Sequence, residues 1–252
     1  MKTIIKKSKT LFGSLALAIL MVVSSCEKIE DNKVTPQKQV GELYNDINYT
    51  DSKNDLDNYI IEIAEQLRIF RESNPNSNDK ELNSFAKKIM TNSDATSRNA
   101  KISYTDITGR LNKQEMVLYN NHLAKALLCI ANGVFANNYT DSNYQSILSV
   151  IRGGNGDAFR HTIWNFGMTI DVGSEFTKKW SDAHEYGDSG AVKNEQTMDL
   201  YNNNIGIQLG IANPNTRLHS TFVSISKNSV RNGKCLILVK SNFNWSNSVG
   251  EK

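Results

Sequence analysis

The chain has 252 residues and a formal charge of +3. Four of its lysines (Lys2, Lys6, Lys7 and Lys9) and no acids fall in the first 25 residues, so the remainder sits near −1 (+3 minus 4). The basic balance therefore belongs to the leader and gives no argument for nucleic-acid binding.

Residues 1–25 follow the plan of an export signal. The lysines form a positive n-region, and Leu11 to Val23 form an apolar stretch of about a dozen residues, too short to span a bilayer and stop there. Val23-Ser24-Ser25-Cys26 then fits a lipobox, in which small residues admit the peptidase and the Cys26 thiol accepts the diacylglycerol. A lipid-modified cysteine carries more than one acyl chain and anchors stably. These residues predict a cell-envelope lipoprotein held in the membrane through Cys26, most naturally the outer membrane. Residues 26–54 are polar and read as a tether. The acids Glu27, Glu30 and Asp31 resemble the surface-export signal of some Gram-negative lipoproteins. No later apolar run approaches 18 residues, so no further span is expected.

From residue 55 helical spacing dominates. Leu56, Tyr59, Ile60, Ile63, Leu67 and Phe70 mark a first helix ending at Ser73-Asn74-Pro75, and Leu82, Phe85, Ala86, Ile89 and Met90 mark a second. Asn112 with Glu115 three residues on forms a capping box, with Leu111 placed to staple onto Met116. That helix is expected to run through Leu123, Leu127, Ile130 and Val134. Tyr144, Ile147, Leu148 and Ile151 suggest a short helix ended by a glycine-rich turn. Three helices follow, over roughly Ala158 to Asp171, Glu175 to Tyr186 and Gln196 to Leu209, and another around Phe222 to Val230. Cys235 to Lys240 is the one convincing strand, and its partner is not evident. Cys129 and Cys235 read as buried free thiols. The expected fold is mainly α: a multi-helix globular unit with one or two short C-terminal strands. Its expected divisions are a signal (1–25), a tether (26–54), an N-terminal helical region (55–152) and a motif-bearing helical domain (153–252).

Chemistry concentrates between Gly153 and Gly206. Asp157, His161 and Asn165 recur every four residues and share one helix face with Trp164, while Phe159, Ile163 and Phe166 take the other. A helix with two buried faces needs partners for its polar groups, because each unsatisfied one costs roughly 1–3 kcal/mol. Ala183-His184-Glu185 and the stripe Asp199, Asn202, Asn203, Gly206 supply candidates from the next two helices. Two routes are open. In one, His161, His184 and Asp199 bind a divalent metal, zinc first, while Glu185 or Asp157 orients an imidazole or activates water. In the other, no metal is needed: His161 or His184 is a general base held by Asp157 or Glu185, and Arg160, Asn202 or Asn203 stabilises developing negative charge. Both lead to a hydrolase acting on a lipid, phosphoester or cell-wall bond. The competing readings are a non-catalytic envelope binding or assembly lipoprotein, whose polar faces are structural, and an effector-partner protein that binds through its N-terminal helices. His122 is expected half-exposed, His219 in a surface loop, and Trp245 as a packing anchor or part of a disordered tail.

The motifs D-A-F-R-H-x-x-W-N, A-H-E and M-D-x-x-N-N-x-x-G resemble an uncharacterised bacterial domain of secreted lipoproteins and of toxin-like protein C-termini. The resemblance covers about Gly153 to Lys240. It implies that Asp157, Arg160, His161, Trp164, His184, Glu185, Asp199, Asn202 and Asn203 are signature positions, and it supplies no reaction.

Overall fold

A computed structural model describes residues 55–96, 104–187, 190 and 192–252. The export signal, Cys26 and the tether lie outside the described residues.

Helices α1 (Asp55–Ser73) and α2 (Asp79–Thr96) pair first. Ile60, Ile63, Ala64 and Leu67 form the buried stripe of α1, and Leu82, Ala86 and Ile89 that of α2. Asn78 starts α2 with a capping box: its Oδ1 accepts from the N–H groups of Lys80 and Glu81, and Glu81 Oε2 accepts from the Asn78 N–H. A short α3 (Tyr104–Thr108) leads to α4 (Lys113–Asn121), whose Asn112–Glu115 capping box forms as its sequence predicts.

The long helix expected from Asn112 through Val134 is instead two helices, broken at His122 (φ −137°, ψ 53°). The second, α5 (Leu123–Asn143), has its early Ala124 N–H satisfied by Asn83 Oδ1 of α2. That cap comes from 41 residues away, so no local pattern announces the break. α6 (Leu148–Ile151) is shorter than the spacing implied, because Tyr144 ends α5 in extended backbone and bridges antiparallel to Glu251.

Next come α7 (Asn155–Val172), α8 (Ser174–Gly187), α9 (Lys193–Ala212) and α10 (His219–Arg231). The chain closes with an antiparallel hairpin, β1 (Leu236–Val239) and β2 (Asn242–Trp245), in the register Leu236↔Trp245 and Leu238↔Phe243. Lys240 and Ser241 turn it with positive φ, the twist a two-residue hairpin turn requires. β2 is the partner missing from the sequence reading: its Asn-Phe-Asn-Trp alternation sits inside an Asn/Ser-rich tail and lacks a β-branched residue.

α7 is the centre of the molecule. α5 packs on one side and α9 on the other, and one apolar core runs from Tyr59 to Ile237. Cys129 and Cys235 are buried free thiols within it. Among the described residues no helix is long and apolar enough to cross a membrane.

Candidate functional site

The site depends on how closely α7 and α9 approach. Gly206 makes the approach possible: a Cβ there would stand 2.3 Å from the Thr162 carbonyl oxygen and 2.7 Å from Asn165 Cβ. One turn earlier on α9, Asn203 meets His161, and Asp199 lies beyond it. α8 brings Glu185 to the same point.

His161 is 2% exposed. Its Nδ1 is 3.0 Å from Asn203 Oδ1. Asn203 Nδ2 is already donating to Glu185 Oε1 at 3.0 Å, so the amide presents its oxygen to the imidazole, and His161 donates from Nδ1. The Nε2 lone pair then faces Arg160 Nη2 at 3.2 Å, Asp199 Oδ1 at 3.4 Å and Asp157 Oδ1 at 3.6 Å. Asp157, at the N-terminal turn of α7, takes the Gly153 N–H on Oδ2 at 2.7 Å and the Arg160 guanidinium on Oδ1. Asp157, His161 and Asp199 each offer one ligand atom, all within 4.8 Å of one another, a set that can hold a metal ion.

Electrostatically the cluster has too many acids. Burial, with Arg160 beside it, pushes His161 down to about 3, so the imidazole is neutral. Burial and the facing carboxylates of Asp157 and Glu185 push Asp199 up to about 9, so it carries a proton at neutral pH. Burial also raises Glu185. Asp157 goes the other way: burial works to raise it, but His161, Arg160 and the Gly153 N–H together hold it below the ordinary aspartate value. Asp199 Oδ1 is a buried oxygen with no hydrogen-bond partner among the described residues.

His184 stands apart from this group. Its Nδ1 donates to Glu115 Oε1 at 2.8 Å, and the Trp164 ring lies edge-on to both imidazoles, at 5.0 Å from His184 and 6.3 Å from His161. Burial works to lower His184, but the Glu115 carboxylate outweighs it and the net shift is upward. The metal-competent set is thus completed by Asp157 where the sequence reading placed His184. Both histidines still line one cavity of about 280 Å³, with Arg160, Glu185 and Asp199.

Asn202 does not reach that cavity. It clamps the hairpin, donating to the Leu236 carbonyl and accepting the Leu236 N–H, both at 2.9 Å. His219 is a second correction: it is 5% exposed, opens α10 and lies 4.6 Å from the Phe135 ring, because α10 packs on α7 with its first turn against Phe135 and Tyr139 of α5. Asn112, Glu115, Arg110, Arg152, Glu195 and Gln196 also line the cavity and were missed as site residues. Glu115 did carry a signal, but its capping role accounts for it completely at the sequence level.

A larger groove, about 520 Å³, lies at the other end of α7 around Arg68, Arg71 and Asp171. Its buried acid is fully matched, and it holds neither a histidine nor a group of metal-ligating side chains.

A family model for a domain of unknown function (DUF6973) matches residues 116–234. The match includes Asp157, Arg160, His161, His184, Glu185, Asp199, Asn202 and Asn203, and stops short of the hairpin. No curated protein and no solved structure matches the chain.

Proposed function

We propose that the protein is a cell-envelope hydrolase whose centre is the Asp157–His161–Asp199 cluster. One observation carries this reading. A neutral imidazole, a protonated aspartate and a raised glutamate line an open cavity, with the ionised Asp157 beside the imidazole, a combination that costs stability unless a ligand or reaction uses it.

One nitrogen and two carboxylate oxygens suit a divalent transition metal of the zinc type, which would supply Lewis acidity toward a phosphoester or acyl bond. The chain's own groups have distinct tasks. Asn203 fixes the tautomer of His161 so that Nε2 faces the cavity side. Glu185, with an affinity for protons above that of a free glutamate, is placed to take a proton from water. Arg160, a third exposed, is placed to balance negative charge developing on substrate.

A metal-free version has its own support. Arg160 Nη2 already lies on the atoms of Asp157 and His161 that would bind an ion, so it can serve as the standing cation. In that version Asp199 is the acid and Glu185 the base.

The envelope assignment rests on the leader and the Cys26 lipobox, which make the protein an outer-membrane lipoprotein anchored by acyl chains. The test incubates protein purified without chelator with phospholipid vesicles, phosphodiesters and cell-wall sacculi. Wild type should cleave one of them, and His161→Ala should lower the rate by about 10²–10⁴-fold. A stoichiometric ion, with activity lost in chelator and restored by metal, selects the first version; activity indifferent to chelator selects the second. No cleavage of any of the three by folded protein would overturn both.

A further inference from the structure

Among the described residues, half of the exposed large apolar side chains fall on adjoining segments, the rest being spread over other elements. Leu148 (70% exposed) and Ile151 project from α6, Val192 precedes α9, and Phe243 and Trp245 (62% exposed) project from one face of the hairpin, with Val239 on the other. Backbone ties bring these segments together. The Leu238 N–H donates to the Gly153 carbonyl at 2.6 Å, placing the hairpin beside the end of α6, and Asn194 Nδ2 donates to the Ser241 carbonyl at 3.0 Å, joining the hairpin turn to the start of α9. Arg152 and Glu195, which follow Ile151 and Val192 on these same segments, pair with each other and line the cavity. The apolar residues therefore flank one side of the cavity mouth. Isolated exposed apolar residues need no explanation, but a group that includes two aromatics and borders a cavity does.

Two further features select the occupant. Lys193 and the hairpin-turn Lys240 are both exposed beside the patch, the placement in which amines reach lipid phosphates while apolar neighbours enter the acyl boundary. In addition, the chain enters the described region on the cavity side: Asp57, in the first turn of α1, pairs at 2.5 Å with Arg110, which lines the cavity. Only 28 residues (27 to 54) separate Cys26 from the start of α1, at most about 100 Å even fully extended. An anchor at Cys26 thus tethers the chain to the bilayer through an entry point on the cavity side.

We infer that α6 and the C-terminal hairpin form a membrane-docking surface, seating Phe243 and Trp245 at the lipid interface with the cavity mouth facing the bilayer. Trp and aromatic side chains favour that depth because one end is apolar and the other can stay hydrated.

Trp245 makes the test direct, since Trp164 and Trp180 are 8% and 1% exposed. The full chain is reconstituted into phosphatidylethanolamine–phosphatidylglycerol vesicles with plain or brominated acyl chains. The emission of Trp245 is taken as the difference between wild type and Trp245→Phe. It should fall by at least about twofold in brominated lipid, and Leu148→Ser with Phe243→Ser should abolish that quenching. Emission indifferent to brominated lipid overturns the inference. So does a Trp245 already shielded from acrylamide before lipid is added, in a dimer that forms with concentration, which would make the patch a contact between copies. No activity is read, so the outcome is independent of the proposed hydrolysis.

Discussion

The two ends of α7 each bury an aspartate held below its ordinary value, and they differ in the other acids that surround it. At the C-terminal end, Asp171 receives Arg68 through Nε at 3.1 Å and Nη2 at 2.6 Å, and Asn132 Nδ2 at 2.7 Å. Burial works to raise its pKa, but the Arg68 charge and these hydrogen bonds outweigh it and hold the carboxyl below its usual range. At the N-terminal end, Asp157, Glu185 and Asp199 share one guanidinium, and Asp199 stays protonated because burial and the Asp157 and Glu185 carboxylates outweigh the pull of Arg160. The first end is closed as an electrostatic system. The second, which like the first borders a cavity, is left short of positive charge. Burial of charge does not distinguish structure from function here; the unbalanced remainder does.

The largest expected effect tests the closed end. Arg68→Ala leaves Asp171 buried without its main partner and should lower unfolding free energy by about 3–5 kcal/mol, read by denaturant titration. A loss under 1 kcal/mol would mean that Asp171 is not matched in the way described, and the contrast would fail.

Next comes the pH dependence of the open end, measured in chelator. Between about pH 4 and 6.5 the unfolded chain holds one proton on this pair, on His161, and the folded chain holds one on Asp199, so the pair contributes no slope. Above pH 6.5 the unfolded chain has lost its proton while the folded chain keeps one up to about 9. Stability should therefore fall with rising pH across that window, by up to about 1.4 kcal/mol per unit. Asp199→Asn should flatten the decline. A decline that persists in this variant would assign it to other groups.

The smallest effect separates two adjacent asparagines. Asn202→Ala removes the clamp on Leu236 and should cost about 1 kcal/mol while leaving catalytic pH dependence untouched. Asn203→Ala should shift the pH–rate profile, because His161 loses the acceptor that sets its tautomer.

That pair also shows where sequence reading stops. Asn202 and Asn203 fall on the same polar stripe and differ only in whether β1 or His161 lies opposite, which is a tertiary fact. Much else was legible: the Asn112 capping box, the two-faced α7 and the close approach at Gly206 follow from spacing and residue type, and the polar stripes around His161, Glu185 and Asp199 were legible as candidates for one site. The break at His122 was not, because its cap comes from α2. Nor was the tie between His184 and Glu115, whose partners lie 69 residues apart. β2 escaped notice because its pairing edge, not its composition, makes it a strand.

Gly206 has a consequence beyond packing. Where α7 and α9 touch through the main chain, no side chain cushions the contact, so the spacing from His161 to Asp199 is ruled by two rigid rods resting on each other. Such a seat has little give. It should select among ions and reacting groups by radius rather than reshape itself around each one, and a single added methyl at residue 206 would prise the jaws apart, drawing Asp199 and Asn203 away from His161 without removing any chemically active group.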